Sequence, residues 1–327
     1  MTNRTLGGSG IEVSAVGLGC WAIGGPMLGA DGKPTGWGDV DDAESIQAIR
    51  AALEHGVTFF DTADAYGAGH SERILGEALG ADRDRVVIAT KFGNTFADGE
   101  RRGTGQDSSP AYVRRACEAS LARLQTDRID LLQLHIGELP PEEDGPIAAA
   151  LEELVGEGLI RAYGWSTDNP ANAERWVARG TCSTIQHTLN VFQDAPALLE
   201  LCERYGLASI NRSPLAAGFL SGRYRPGTRV GAEDWRSVQR DWSTFFTAEG
   251  EPEPEWLARL DAIREILTSE GRTHAQGAIA WLWARSPATV PIPGVRTVAQ
   301  ATENAGALAY GPLLPAQLTE IDAVLGA

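Results

Sequence analysis

Eight short apolar, β-branched segments recur along this chain, and most are followed by a stretch with helical periodicity. The strand candidates are residues 13–22, 58–62, 85–91, 129–135, 160–166, 183–187, 208–213 and 289–292. The helical stretches are 42–55, 71–78, 110–124, 146–157, 170–179, 195–205, 254–268, 274–285 and 298–305. Their edges carry the expected punctuation. Asp42 precedes a stripe of Ile46, Ile49, Ala52 and Leu53, and Gly56 ends it; Ser109-Pro110 opens another helix. Alternating strand and helix implies a parallel sheet, and eight repeats imply closure into an α/β TIM (β/α)8 barrel. Two segments fall outside the rhythm. A hairpin at 4–13, turning at Gly7-Gly8-Ser9-Gly10, is expected to plug the barrel bottom, and an extra C-terminal helix at 315–324 to pack outside. No linker interrupts residues 1–327, which read as one barrel domain. The long irregular stretch 223–253 carries Trp235, Trp242, Phe245 and Phe246 and reads as a lid over a substrate or cofactor.

A net charge of -16 repels phosphate backbones and anionic lipid, which argues against nucleic-acid and membrane roles. An anionic ligand would then need a local basic pocket. No apolar run reaches the roughly 18 residues of a membrane span. Met1 to Gly8 lacks the apolar core of a signal peptide, so the expected location is cytoplasmic. Cys20, Cys117, Cys182 and Cys202 show no paired spacing, so neither a disulfide framework nor a metal site is expected.

Four polar residues close three of the apolar runs. Asp61 and Tyr66 lie in Asp61-Thr62-Ala63-Asp64-Ala65-Tyr66-Gly67, Lys91 ends Val87-Ile88-Ala89-Thr90-Lys91, and His135 ends Leu131-Leu132-Gln133-Leu134-His135. In a parallel barrel, strand C-termini share one rim, where chemistry is done. Taken singly, each residue has an ordinary structural explanation. Taken together they suit carbonyl reduction. Delivery of hydride leaves negative charge on oxygen, which must be protonated or stabilised. Tyr66 can give the proton, although a phenol with pKa about 10 is a reluctant acid. A Lys91 ammonium stabilises phenolate, Asp61 holds Lys91 charged, and His135 can hydrogen-bond the substrate oxygen. The residues do not decide the part played by His70, in the loop after Tyr66.

These blocks, with Ser71-Glu72-Arg73-Ile74-Leu75-Gly76 and Gly158-Leu159-Ile160-Arg161-Ala162-Tyr163-Gly164-Trp165-Ser166, resemble the aldo-keto reductases over nearly the whole chain. The resemblance implies Asp61, Tyr66, Lys91 and His135 as the catalytic set. It also implies NADPH or NADP+ lying across the barrel mouth, and no GxGxxG segment supports a Rossmann site instead. Ser166, Thr167 and Gln186 match the carboxamide contacts; Asp61, with Gly19 and Trp21, lies near the nicotinamide. Ser213, Leu215, Gly218 and Leu220 match the pyrophosphate path. Gly294 allows close approach, and Arg296 offers a charged fork for a 2′-phosphate. Gln300, Glu303 and Asn304 share a helix face where the family reads adenine. Trp21 and Trp37, with Tyr66 and His135, are the expected substrate walls, joined by Trp235 or Trp242.

Two positions depart from the family pattern. Thr167 replaces an asparagine, and Arg212 stands where many relatives place an aromatic under the nicotinamide. A cation there is expected to disfavour the oxidised ring. The leading expectation is therefore an NADPH-dependent aldehyde or ketone reductase with a small-molecule carbonyl partner. Rivals are a cofactor-bound redox sensor like the potassium-channel β subunits, and a TIM-barrel phosphate-sugar isomerase or hydrolase. The oligomeric state is open, with a monomer favoured.

Overall fold

A computed structural model describes residues 3–326 apart from 98, 179–180, 239 and 241–243. The expected Trp242 wall and the end of the 170–179 helix lie outside the described residues. Strands β1 (Asn3–Thr5) and β2 (Glu12–Ser14) form the antiparallel hairpin. The barrel strands are β3 (Leu18–Gly19), β4 (Phe59–Asp61), β5 (Val87–Phe92), β8 (Ile129–Leu134), β9 (Ile160–Ser166), β10 (Thr184–Thr188), β11 (Ala208–Arg212) and β12 (Thr289–Pro291). They pair in parallel in that order. The two ends meet: Gly17 and Gly19 donate N–H to the carbonyls of Pro291 and Pro293 at 2.9 and 3.0 Å. A Cβ on Gly19 would sit 2.7 Å from the Ile292 carbonyl, so only glycine lets the seam close this tightly.

Helices α1 (Asp42–Glu54), α2 (His70–Leu79), α3 (Pro110–Leu124), α4 (Asp144–Gly156), α5 (Pro170–Val177), α6 (Pro196–Tyr205), α7 (Pro254–Leu267), α8 (His274–Arg285) and α9 (Val298–Gly306) wrap the barrel, and α10 (Pro315–Leu325) packs on α7 and α8. Capping follows local chemistry. Asp41 caps α1, Asn169 caps α5, and Thr273 with Gln276 forms a capping box on α8.

Strand periodicity sorts side chains into two apolar clusters. Phe59, Val87, Ala89, Leu131, Ala162, Ile210 and Val290 fill the barrel interior, together with Leu6, Ile11 and Val13 from the hairpin, which seals the bottom as expected. Phe60, Ile88, Leu132, Trp165 and Ile185 face the helix layer instead. Two residues beyond the inward Phe59, Ala89, Leu131 and Ile210 stand Asp61, Lys91, Gln133 and Arg212. The interior stack is thus apolar below and polar at the rim.

Two expectations need correction. The expected strand 13–22 is split: residues 12–14 belong to the plug hairpin, only Leu18–Gly19 enters the barrel, and residues 22–24 coil into a 3-10 turn after Trp21. Ser14 closes the hairpin ladder opposite Asn3 and exchanges hydrogen bonds with the Thr58 hydroxyl and amide at 2.9 and 2.8 Å. The sequence reading also has no counterpart of the hairpin β6 (Asn94–Phe96) and β7 (Gly103–Gln106) beyond β5. Its glycine-rich, short strands carry little alternation.

Gly164 pairs with Thr184 across β9 and β10. A Cβ there would meet the Thr184 Oγ1 at 2.0 Å and its carbonyl at 2.6 Å. Gly164→Ala is expected to destabilise the protein by about 1–3 kcal/mol. An unchanged urea midpoint would contradict the close strand approach.

Candidate active site

Lys91 is fully buried at the end of β5 and is the hub of the site. Its Nζ donates to Asp61 Oδ1 at 2.5 Å, to the Thr62 carbonyl at 2.9 Å and to the Tyr66 hydroxyl at 3.0 Å. All three ammonium protons are therefore used. Asp61 Oδ2 accepts from Gln186 Nε2 at 2.8 Å and from Gln133 Nε2 at 3.2 Å. Burial pulls the Lys91 pKa down, but Asp61 and Tyr66 outweigh it, and the pKa lies above the ordinary lysine value. Removal from water pushes the Tyr66 phenol up; Lys91 pulls it down without overcoming that effect, and the pKa is raised. The expected lowering by Lys91 is thus present but does not outweigh burial. Tyr66 accordingly keeps its proton at neutral pH.

The loop carrying Tyr66 has almost no freedom. A Cβ on Gly67 would fall 2.0 Å from the Gly24 carbonyl, and one on Gly24 2.8 Å from the Tyr66 backbone carbon. Ser71 ties the loop back by donating to the Cys20 carbonyl at 2.8 Å. Glu72 is buried, accepts from Thr90 at 2.5 Å and pairs with Arg123 at 2.6 Å. The Ser71-Glu72 motif is thus a brace for the tyrosine.

His135 stands edge-on to Tyr66, ring centroids 5.7 Å apart. Its Nδ1 is buried without a hydrogen-bond partner among the described residues. Burial first, then the Lys91 and Arg212 cations, hold its pKa well below the ordinary histidine value of 6.5. His70 instead bonds Asp42 at 2.8 Å, away from this centre.

Tyr66, His135 and Asp61 open onto a cleft of about 1160 Å³ across the barrel mouth. Trp21, Trp37 and Trp235 wall one side: Trp21 stacks on Trp235 at 5.5 Å and meets Trp37 edge-on at 5.4 Å. Ser166 and Gln186, neighbours in register, line the opposite side. Ser213, Leu215 and Gly218 follow β11 along the cleft, with Gly19 and Gly294 at the seam and Arg296, Gln300, Glu303 and Asn304 at the far end. Thr167 and Leu220 do not line it. Both are fully buried, and the Thr167 hydroxyl donates to the Gly137 carbonyl at 2.7 Å.

Arg212 lines the cleft but is not a lone cation. Its Nη2 pairs with Asp168 Oδ2 at 2.6 Å and its Nη1 donates to Thr188. Burial pushes Asp168 up, but Arg212 and the Thr188 amide outweigh it and hold its pKa below the ordinary value. The pair weakens the repulsion expected toward an oxidised nicotinamide.

Several site residues escape the sequence reading. Gln133 is marked only by being a polar residue in an apolar strand. Arg223 and Ala217 join Gly218 at the cleft, and Asn94, Thr95 and Gln106 of the β6–β7 hairpin close another side. The Asn94 side-chain amide donates to the His135 carbonyl at 3.0 Å.

Comparison with known proteins agrees with this geometry. Residues 15–325 match the aldo/keto reductase family. The chain is 31% identical over 310 residues to aldo-keto reductase YhdN of Bacillus subtilis, covering 92% of this chain and 86% of that one. Among solved structures, it superposes on glycerol dehydrogenase AKR11B4 of Gluconobacter oxydans with TM-score 0.82 and 29% identity, over 99% and 95% of the two chains. An aldo/keto reductase of Klebsiella pneumoniae, in complex with NADP and acetate, gives 0.72 and 27%, over 99% and 96%. The chain belongs to the aldo/keto reductase family and is an oxidoreductase of that family.

The His135 imidazole is expected to stay neutral at pH 6.5 and to take its proton only well below it, read by side-chain NMR. The unfolded chain protonates this histidine first as pH falls, so wild type should lose stability on acidification relative to His135→Asn. A titration midpoint at or above 6.5 would contradict the placement beside two cations.

Proposed function

We propose that the protein reduces aldehydes or ketones with NADPH, with Tyr66 as general acid supported by Lys91, Asp61 and His135. The observation that carries this reading is the Tyr66 hydroxyl 3.0 Å from Lys91 Nζ, with Asp61 on the far side of the ammonium and the cleft in front.

The residues present suit the cofactor. The cleft is long, and left-handed backbone at Ser213, Ala216, Ala217 and Gly218 bends the loop after β11 along its floor. The buried Asn304 Nδ2 at the cleft end has no partner among the described residues, as a group awaiting a ligand acceptor would. Ser166 and Gln186 would take the carboxamide, Ser213, Leu215 and Gly218 the pyrophosphate, and Arg296 the 2′-phosphate. Gln300, Glu303 and Asn304 would take the adenine. The Klebsiella relative bound to NADP supports the same choice. Bound there, the nicotinamide supplies the hydride.

Tyr66 donates its proton to the carbonyl oxygen as negative charge develops on it. The Lys91 ammonium then stabilises the phenolate left behind. Neutral His135 directs the carbonyl oxygen toward Tyr66 without competing for the proton. The Trp21, Trp37 and Trp235 walls exclude water and suit a planar, largely apolar carbonyl compound. Residues 1–327 are read as one barrel domain, with 223–253 as a lid over substrate or cofactor. A phosphate-sugar isomerase would need a carboxylate base where Tyr66 stands, and family membership speaks against it. A redox sensor would retain cofactor with little turnover.

Tyr66→Phe is expected to lose about 10²–10⁴-fold in NADPH oxidation with an aryl aldehyde while keeping NADPH affinity. Turnover equal to wild type would remove Tyr66 as the acid. Tight NADPH binding without turnover in either protein would favour the sensor.

A further inference from the structure

Arg296 does more in this structure than wait at the adenosine end of the cleft. Its Nη1 donates to the Trp37 carbonyl at 3.1 Å and its Nη2 to the Asp39 carbonyl. Its own N–H is held by Gln300 Oε1 at 2.8 Å, and α9 is tied to α1 through the Val298 amide and Glu44 at 2.8 Å. The guanidinium is thus fixed to the barrel at its base and grips residues 37–39 at its tip.

Those residues carry a substrate wall. Trp37 meets Trp21 and Trp235 edge-on at 5.4 and 5.8 Å, and Trp21 stacks on Tyr66 at 6.1 Å. From the other side of the mouth, Asp234 bridges Trp37 and the Trp235 amide donates to the Gly36 carbonyl at 2.8 Å. Arg236 lies 4.4 Å over the Trp37 ring and donates to the Ala217 carbonyl at 2.9 Å. Two arginines, Arg296 before α9 and Arg236 beside the loop after β11, therefore hold the same tryptophan.

We propose that Arg296 is a positioning residue for the carbonyl substrate, because it fixes the Trp37 wall through two backbone carbonyls. This rests on the reading of the tryptophan-lined pocket as the carbonyl site. A guanidinium has five N–H donors in a rigid fork. Two are spent on the wall, which leaves others for a 2′-phosphate from the cleft. One side chain then serves both the cofactor's phosphate and the substrate's wall. Removing it leaves the Trp37 and Asp39 carbonyls to water and frees the segment, and a wall displaced by an ångström costs substrate far more than its own contacts.

The discriminating cofactor is NADH, which has no 2′-phosphate. If Arg296 bound only that phosphate, Arg296→Ala would leave NADH-dependent reduction untouched. We expect instead that, with saturating NADH, the carbonyl KM rises by roughly tenfold while kcat changes less. The cofactor-free protein gives a second reading. Hydrogen exchange at the Trp37 and Trp235 amides should accelerate by roughly tenfold or more in Arg296→Ala, with amides in β5 and β8 unchanged. Arg296→Lys keeps the charge but cannot span two carbonyls, so it should keep most of the preference for NADPH and still show the higher carbonyl KM. Unchanged exchange and unchanged NADH kinetics in Arg296→Ala would overturn the proposal. Faster exchange and a raised carbonyl KM, with undiminished NADPH affinity, would uphold it and reject the 2′-phosphate reading. Faster exchange with an unchanged carbonyl KM would show that Trp37 moves without mattering to substrate, and that too would overturn it.

Discussion

A lysine with no exposure to water sits against a nearly buried aspartate, and the site is arranged around that pair. Two charges taken out of water repay their desolvation only when geometry is good and every remaining donor and acceptor is met. Here Lys91 spends its three protons on Asp61, the Thr62 carbonyl and Tyr66, while Asp61 accepts from Gln133 and Gln186. These groups come from β4, β5, β8 and β10 and from the turn after β4. The set exists only when the barrel is closed and in register, which couples the chemistry to the fold. It also explains the interior, apolar up to Phe59, Ala89, Leu131 and Ile210 and polar in the next inward layer.

The mouth of the barrel resolves a conflict of charge. A chain of net charge -16 must still accept an anionic dinucleotide. Arg212, Arg223 and Arg296 are gathered at the cleft, and Arg236 stands close behind it. Each has local partners. Arg212 is met by Asp168, Arg236 by Asp234, and Arg296 by backbone carbonyls, so the cations are oriented and partly neutralised rather than left to repel one another. Oriented arginines of this kind can recognise an anion at fixed points without giving the whole surface a positive field.

The walls depend on contacts far apart in the chain. Trp21 and Trp37 come from the segment after β3, and Trp235 from the segment after β11, and they meet over Tyr66. Deeper in the long segment, Phe245 and Phe246 are buried against Phe219 and Tyr224, so this part of 223–253 is anchored by its own aromatic cluster.

Much was legible in the sequence because it rests on local periodicity. Inward-facing residues recur every second position in a strand, so the residues closing the apolar runs, Asp61, Lys91 and His135, are bound to reach the same rim once the strands are parallel. The plug hairpin and the Ser109-Pro110 start of α3 follow from similarly local rules, whereas the need for glycine at Gly19 comes from the Ile292 carbonyl across the seam. What the sequence could not show is whatever depends on which distant groups meet. Gln133 looks like an interruption of a strand until Asp61 is placed beside it. Thr167 and Leu220 match cofactor positions in order along the chain, yet their side chains turn into the core, because a single step along a strand or turn reverses a side chain's face. Arg212 reads as a lone cation until β9 delivers Asp168, and the phenol of Tyr66 reads as lowered by Lys91 until burial is counted against it. The local pattern determined the barrel and its rim. Only the closed structure decided the partners, because hydrogen bonds and desolvation depend on three-dimensional neighbours that no spacing along the chain records.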